Sequence, residues 1–238
     1  MAVDFRDYSG LLWLQHLIGD QLAAWDIETG IFSATRQFLK NGDVFWDVGA
    51  NAGTVSAFVA TEFKSSRICA FEPNPRLAGA LSGLFATVDR VAVFPYALSD
   101  GDAEVVLTIP KGKSVGASIV GIDYVLKTSN LQPDAVEQVS VKAFSGDSLL
   151  QQDSTIAAPN VIKIDVEGHE GAVLKGLADT IATYRPVMFF EHLYLSDSDV
   201  RALVPEGYSL HSIHEPSGEL TAGFERHTGH NSALIPKS

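Results

Sequence analysis

The stretch Val44-Phe45-Trp46-Asp47-Val48-Gly49-Ala50-Asn51-Ala52-Gly53 constrains this chain more than any other. An apolar run ends in a carboxylate and passes into a glycine-bearing turn, after which Val55, Phe58, Val59 and Phe63 recur at helical spacing. Strand, glycine turn, helix is the unit with which open α/β sheets hold nucleotides. Gly49 and Gly53 let the backbone bend tightly and approach a ligand with no Cβ between them. Asn51 stands where dinucleotide-binding loops commonly have a middle glycine, and Asn is one of the few other residues to accept a positive φ. The N–H groups that open the helix favour a negative group on a ligand, and Asp47 a positive or hydroxyl-bearing one. An amino-acid moiety satisfies both; a simple turn is the plainer reading of the same residues.

A second acid sharpens the choice. A dinucleotide-type site calls for a strand ending in a carboxylate about 20 residues further on, to receive the ribose hydroxyls. Arg67-Ile68-Cys69-Ala70-Phe71-Glu72-Pro73 provides it: Glu72 falls at the strand end and Pro73 stops the pairing. Two carboxylate oxygens can accept from two adjacent hydroxyls. An adenosine-like ligand follows, and Ala97 or Leu98, after the next strand, would line its adenine pocket.

From Val44 to Tyr96 the pattern is strand, helix, strand, helix, strand, with the second helix over Pro75 to Phe85 and the third strand over Val91 to Phe94. Such alternation predicts a parallel sheet with helices on both faces. The chain has 238 residues, 46% of them hydrophobic, which suits one α/β domain over 1–238. Residues 1–40 read as an N-terminal helical extension, with stripes at Leu11 to Leu22 and Ile31 to Leu39. Residues 103–143 read as an inserted antiparallel β pair whose connection, Pro110 to Gln132, is expected to be mobile. Lys111, Lys113 and Ser118 on that connection are candidates for substrate handling or ordinary solvated loop residues. The net charge of −12 disfavours nucleic acid and anionic membrane as partners. The lone Cys69 excludes a disulfide framework or thiolate metal site and reads as a small buried hydrophobe. Leu11 to Ala24 is too short and polar to span a bilayer, and a cytoplasmic location is expected.

Two further strand ends carry acids. Val161-Ile162-Lys163-Ile164-Asp165-Val166-Glu167-Gly168-His169-Glu170 gathers three carboxylates and a histidine at one strand-to-helix turn, a combination that is unfavourable unless solvated, paired or metal-bound. His169 has the chemistry of a general base near neutral pH, whereas Glu167 and Glu170 also suit a helix start. Pro186-Val187-Met188-Phe189-Phe190 is a buried-strand run followed by Glu191-His192. In a parallel sheet Asp165 and Glu191 share one crevice, where either Asp165, Glu191 and His192 hold a divalent ion or Glu191 and His169 position a hydroxyl without a metal. The metal-free arrangement is the one favoured. His211, His214, His227 and His230, near the last two strands, read as exposed loop histidines.

On these motifs the chain resembles the FkbM-type methyltransferases, a branch of the class I S-adenosylmethionine-dependent enzymes. Asp47 to Gly53, Phe71-Glu72-Pro73-Asn74, Ile162 to Glu170, Leu174-Lys175-Gly176 and Arg185-Pro186 with Glu191 carry the resemblance. It implies a Rossmann-like seven-stranded sheet, six strands parallel and the last antiparallel, closed by Gly207 to Ile213 and Asn231 to Ile235. It also implies methyl transfer from S-adenosylmethionine to an oxygen of a sugar or natural product. By position, Asp47, Gly49, Asn51 and Gly53 would line the methionine end, Glu72 with Pro73 the ribose, and the turn with Asp165 and His169 the acceptor. His169 is then the candidate base, with Asp165 or Glu191 orienting it or the acceptor. Metal-dependent relatives carry oxygen ligands where His192 stands here, which weighs against a metal. A nicotinamide-dependent oxidoreductase would use the same glycine turn and Glu72, and a non-catalytic nucleotide module only the first half of the chain.

Overall fold

The computed structural model describes residues 25–111 and 116–237. The helical stripe expected at Leu11 to Leu22 and the candidate Lys113 lie outside the described residues. The second expected helix is present as α1, Trp25–Phe38.

The alternation read from the sequence builds one half of the main sheet. Strands β1 (Val44–Val48), β2 (Arg67–Phe71) and β3 (Val91–Phe94) pair in parallel, joined by α2 (Thr54–Glu62) and α3 (Pro75–Leu84). Asn74 starts α3 by accepting from the Arg76 N–H, and Pro75 pre-sets the first turn. The other half contains β7 (Val161–Ile164), β8 (Val187–Glu191), β9 (Tyr208–Ile213), β10 (Leu220–Ala222) and β11 (Asn231–Pro236). Helices α6 (Glu170–Lys175) and α7 (Ala178–Tyr184) connect β7 to β8, and α8 (Asp197–Ala202) follows β8. The order is β10-β9-β11-β8-β7-β1-β2-β3. The sheet thus has eight strands where seven were expected. Six are parallel and β11 runs antiparallel between β8 and β9, as anticipated; the addition is β10, a three-residue edge strand hairpinned onto β9.

The inserted pair is real but larger than predicted. Strands β5 (Ala103–Pro110) and β6 (Val136–Ser145) are antiparallel, and β4 (Ala97–Ser99) joins β6 to make a separate three-stranded sheet. The connection expected to be mobile contains a helix, α4 (Ile122–Thr128), and a bridge that pairs Ser118 with Thr108. Lys111 is exposed and donates to the Asp134 carbonyl at 2.7 Å, whereas Ser118 is buried. Helix α5 (Gly146–Gln152) returns the chain to β7.

Strand alternation divides the core in two. Trp46, Val48, Ile162, Ile164, Met188 and Phe190 fill one face of the main sheet, and Phe45, Val161 and Phe189 the other. Cys69 is buried among the first set, and burial pushes its thiol up to about 11, in keeping with an inert packing role. No helix among the described residues is long and apolar enough to cross a membrane.

Candidate active site

Strand order reverses between β1 and β7: β2 lies beyond one and β8 beyond the other. In open α/β sheets the crevice at such a point, outside the carboxyl ends of the strands, is where ligands bind. Both turns that border it are tightly determined. Gly49 has φ +74°, and a Cβ there would fall 1.9 Å from the Asp165 carbonyl oxygen, so only glycine lets the β1 and β7 turns meet. Asn51 has φ +49°, the left-handed conformation its side chain was expected to tolerate. Gly53 caps α2 at φ +82° and offers the helix no side-chain acceptor.

The carboxylates of the β1 side are held in place by donors from the turn and the helix start. Asp47 is buried; its Oδ2 accepts from Ser56 N at 3.0 Å and Ser56 Oγ at 2.6 Å. Its Oδ1 lies 3.4 Å from Lys163 Nζ but has no hydrogen-bond partner among the described residues, and neither has the buried Asn51 Oδ1. Glu72 is also buried, with Oε2 accepting from Asn51 N at 2.7 Å and Oε1 from Asn74 N at 2.8 Å. Burial raises its pKa to about 7 against the opposing pull of those two N–H groups.

Lys163, inside the β7 strand, joins the two turns. It sits in the middle of a buried strand, donates to the Gly49 carbonyl at 2.7 Å, and lies 3.4 Å from both Asp47 Oδ1 and Asp165 Oδ2. One ammonium therefore ties the β1 turn to the β7 turn. The signal was legible: a lysine inside Val161-Ile162-Lys163-Ile164 has to be paired if the strand is buried.

The β7 side is crowded with acids. Glu167 has φ +54°, and its Oε1 accepts from Gly116 N at 3.0 Å while its carbonyl accepts from Ser118 Oγ at 2.8 Å. The inserted sheet is thereby clamped onto the turn. Glu170 is buried; Oε1 accepts from Val166 N and Gly168 N, and Oε2 has no hydrogen-bond partner among the described residues. Burial, then the neighbouring charge of Asp165, push Glu167 and Glu170 to about 7. Glu191 is raised further by the same causes, with Asp165, Glu167 and Glu170 all acting on it.

Two groupings that the sequence allows, the less favoured metal trio among them, do not form. His192 points to the opposite face of the sheet from Glu191, because successive strand residues alternate. It is buried against Phe190 and Phe224, with Nδ1 3.1 Å from Ser232 Oγ, so the trio Asp165, Glu191 and His192 is not brought together. Among the described residues no group of three His, Cys, Asp or Glu is arranged to hold a metal. His169 caps α6 with its Nε2 2.9 Å from Ser99 Oγ, and the charge acting on it is that of Asp100 rather than Asp165 or Glu191. Burial holds its pKa below the ordinary histidine value. Ala97 and Leu98 are buried in β4, Leu98 within the main core. Pro73 is half-buried beside Glu72. Of the four late histidines, His227 and His230 are exposed as expected; His211 lies in β9 and His214 just after it, both half-buried, with Nε2 at 3.0 Å from Ser209 Oγ and 2.7 Å from Thr221 Oγ1.

Residues 47–214 match the family model described as the methyltransferase FkbM domain. The hexuronic acid methyltransferase AglP of Haloferax volcanii is 31% identical over 173 residues, which cover 70% of this chain and 63% of that protein. The 31-O-demethyl-FK506 methyltransferase FkbM of Streptomyces tacrolimicus is 29% identical over 164 residues, covering 59% of this chain and 62% of that one. The chain thus spans less than two thirds of the length of either relative. Among solved structures, the methyltransferase FkbM from Methylobacillus flagellatus KT superposes with a TM-score of 0.54 at 13% identity, over 94% of this chain and 57% of that chain. An O-methyltransferase from Bacillus cereus in complex with SAH gives 0.53 at 11% identity, over 99% and 94%. At such identities these two likenesses concern the fold.

Proposed function

The chain belongs to the FkbM methyltransferase family, and from that premise we propose that it transfers the methyl group of S-adenosylmethionine to a hydroxyl oxygen of a sugar or natural product. The observation that carries this reading is the junction of the β1 and β7 turns, where Lys163 joins Asp47, Gly49 and Asp165.

The residues of the β1 side fit the cofactor. Glu72 uses one acceptor site on each oxygen for a backbone N–H, which leaves each oxygen room for a ribose hydroxyl. Asp47 Oδ1 and Asn51 Oδ1 are buried acceptors without hydrogen-bond partners among the described residues, suited to an ammonium. The start of α2 has no side-chain cap from Gly53, and its free N–H groups suit a carboxylate. When bound, the cofactor supplies a methyl carbon already activated by a positive sulfur.

The protein's remaining tasks are alignment of the acceptor and removal of its proton. Asp165 is our candidate for the proton acceptor. Its side chain is 31% exposed, and Lys163 steadies Oδ2, which leaves Oδ1 for the hydroxyl. With the cofactor bound, Asp165 would take the proton that the acceptor hydroxyl gives up on methylation. Glu191, next along the crevice and raised in pKa, holds its proton and can donate to the acceptor. His169 would have to release Ser99 before its Nε2 could serve as the base. A divalent metal has no role in this reading, because His192 faces away from the two carboxylates.

Calorimetric titration with S-adenosylhomocysteine and, separately, with NAD tests the proposal. Saturable binding of the first and none of the second is expected. Binding of NAD alone would overturn it in favour of an oxidoreductase.

A further inference from the structure

Two tyrosines from outside the motif turns meet beside the β7 turn. Tyr124 stands on α4, in the segment between β5 and β6, and Tyr194 lies in the turn after β8. Their rings pack edge-on, with centroids 6.0 Å apart. The Tyr124 hydroxyl presses on the β7 turn at Gly168, where a Cβ would collide with it. Its oxygen is buried, yet it has no hydrogen-bond partner among the described residues. A buried hydroxyl in that state is unfavourable, and a ligand oxygen would relieve it. Tyr194, by contrast, is 42% exposed. The charges of Glu167 and Glu191 act on both phenols, and that of Asp165 on Tyr194, so the pair faces the crevice that Asp165 borders. Gly116 N and Ser118 Oγ, both bonded to Glu167, hold the inserted segment in this place.

We propose that Tyr124 and Tyr194 bind the acceptor as a pyranose-type ring. The Tyr124 hydroxyl donates to an oxygen substituent next to the hydroxyl to be methylated, and Tyr194 lies against the apolar face of the ring. This rests on the methyl-transfer reading above. Burial, and next the charges of Glu170 and Glu167, push the Tyr124 phenol well above its ordinary range, so it keeps its proton and serves as a donor. A neutral donor suits a neighbouring hydroxyl or carboxylate alike. One buried polar handle beside one open aromatic face is how a concave site fixes the orientation of a small ring. The handle selects an oxygen at a set distance from the reacting hydroxyl. The aromatic face selects a closed ring over an open-chain polyol.

The test uses the full chain saturated with S-adenosylhomocysteine and titrated with methyl glucoside, methyl glucuronoside and the open-chain polyol glucitol, with affinities read from ligand-detected NMR. At least one glycoside is expected to bind saturably, about tenfold or more tighter than glucitol. Tyr124→Phe keeps the ring and removes the hydroxyl, and should weaken that glycoside about three- to tenfold. It should not lower the melting temperature, because the lost hydroxyl has no partner in the free protein to give up. Tyr194→Ala, at an exposed position, should weaken the glycoside about tenfold. Both variants should keep the wild-type affinity for S-adenosylhomocysteine. Glucitol binding as tightly, no saturable binding of either glycoside, unchanged glycoside affinity in either variant, or a melting temperature lowered by Tyr124→Phe overturns the inference alone. Failure of S-adenosylhomocysteine to bind the wild type overturns the transfer reading instead.

Discussion

The two strand-to-helix turns at the crevice share a plan and differ in charge economy. At the β1 turn Asp47 meets Ser56 and Lys163, and Glu72 meets the N–H groups of Asn51 and Asn74. At the β7 turn burial, and next the charge of Asp165, raise the pKa values of Glu167, Glu170 and Glu191 together. The first arrangement fixes a backbone shape that holds a ligand in one pose. The second is a set of like charges that a bound proton or cation stabilises. On our proposal the cofactor belongs to the rigid turn and the acceptor chemistry to the crowded one.

Lys163→Met attacks the shared element and should have the largest effect. Removing one partner of a buried ion pair leaves Asp47 uncompensated, and the expected loss is about 3–5 kcal/mol of stability in urea unfolding. Wild-type stability would mean that the ammonium does not hold the two turns together.

Glu170→Gln should act with the opposite sign. Burial raises Glu170 from 4.5 to about 7, so within that window the native state keeps a proton that the unfolded chain has released. The protonated native group contributes stability that is present at low pH and is lost as pH rises through the native value. The substitution should therefore stabilise the protein above pH 7 by about 1–3 kcal/mol and change little below pH 4.5. Unfolding measured on both sides of the window checks this, and equal destabilisation at both would place Glu170 among the well-partnered acids. A smaller effect belongs to Ser118→Ala. It removes the hydroxyl that clamps the inserted sheet to the Glu167 carbonyl, a loss of about 1 kcal/mol by thermal unfolding.

Much of the β1 side was readable because its signals are local. Glycine at positive φ, a strand-end acid and the interval to the next one are all written within Asp47 to Pro73, and the strands β1, β2 and β3 fall where periodicity puts them. The β7 side depended on contacts that sequence does not order. His169 reads as a base, with Asp165 or Glu191 orienting it or the acceptor, and its partner Ser99 comes from a three-residue strand of the inserted sheet. Glu191 and His192 are adjacent in sequence and opposite in space, since continued strand alternation decides their faces. β4 and β10, at three residues each, are too short for periodicity to register, and α4 was hidden in a segment whose glycines and serines suggested a plain loop. Lys163 stands in an otherwise apolar strand, and its need for a partner follows only once that strand is known to be buried.

The most direct test of the division between the turns is the affinity of S-adenosylhomocysteine for the wild type, Glu72→Gln and Glu191→Gln, measured side by side by calorimetry. The account predicts that Glu72→Gln weakens binding about tenfold, as loss of a charge-assisted hydrogen bond would, and that Glu191→Gln leaves it unchanged. Equal weakening by both substitutions would contradict it, because the crowded turn would then be part of the cofactor site.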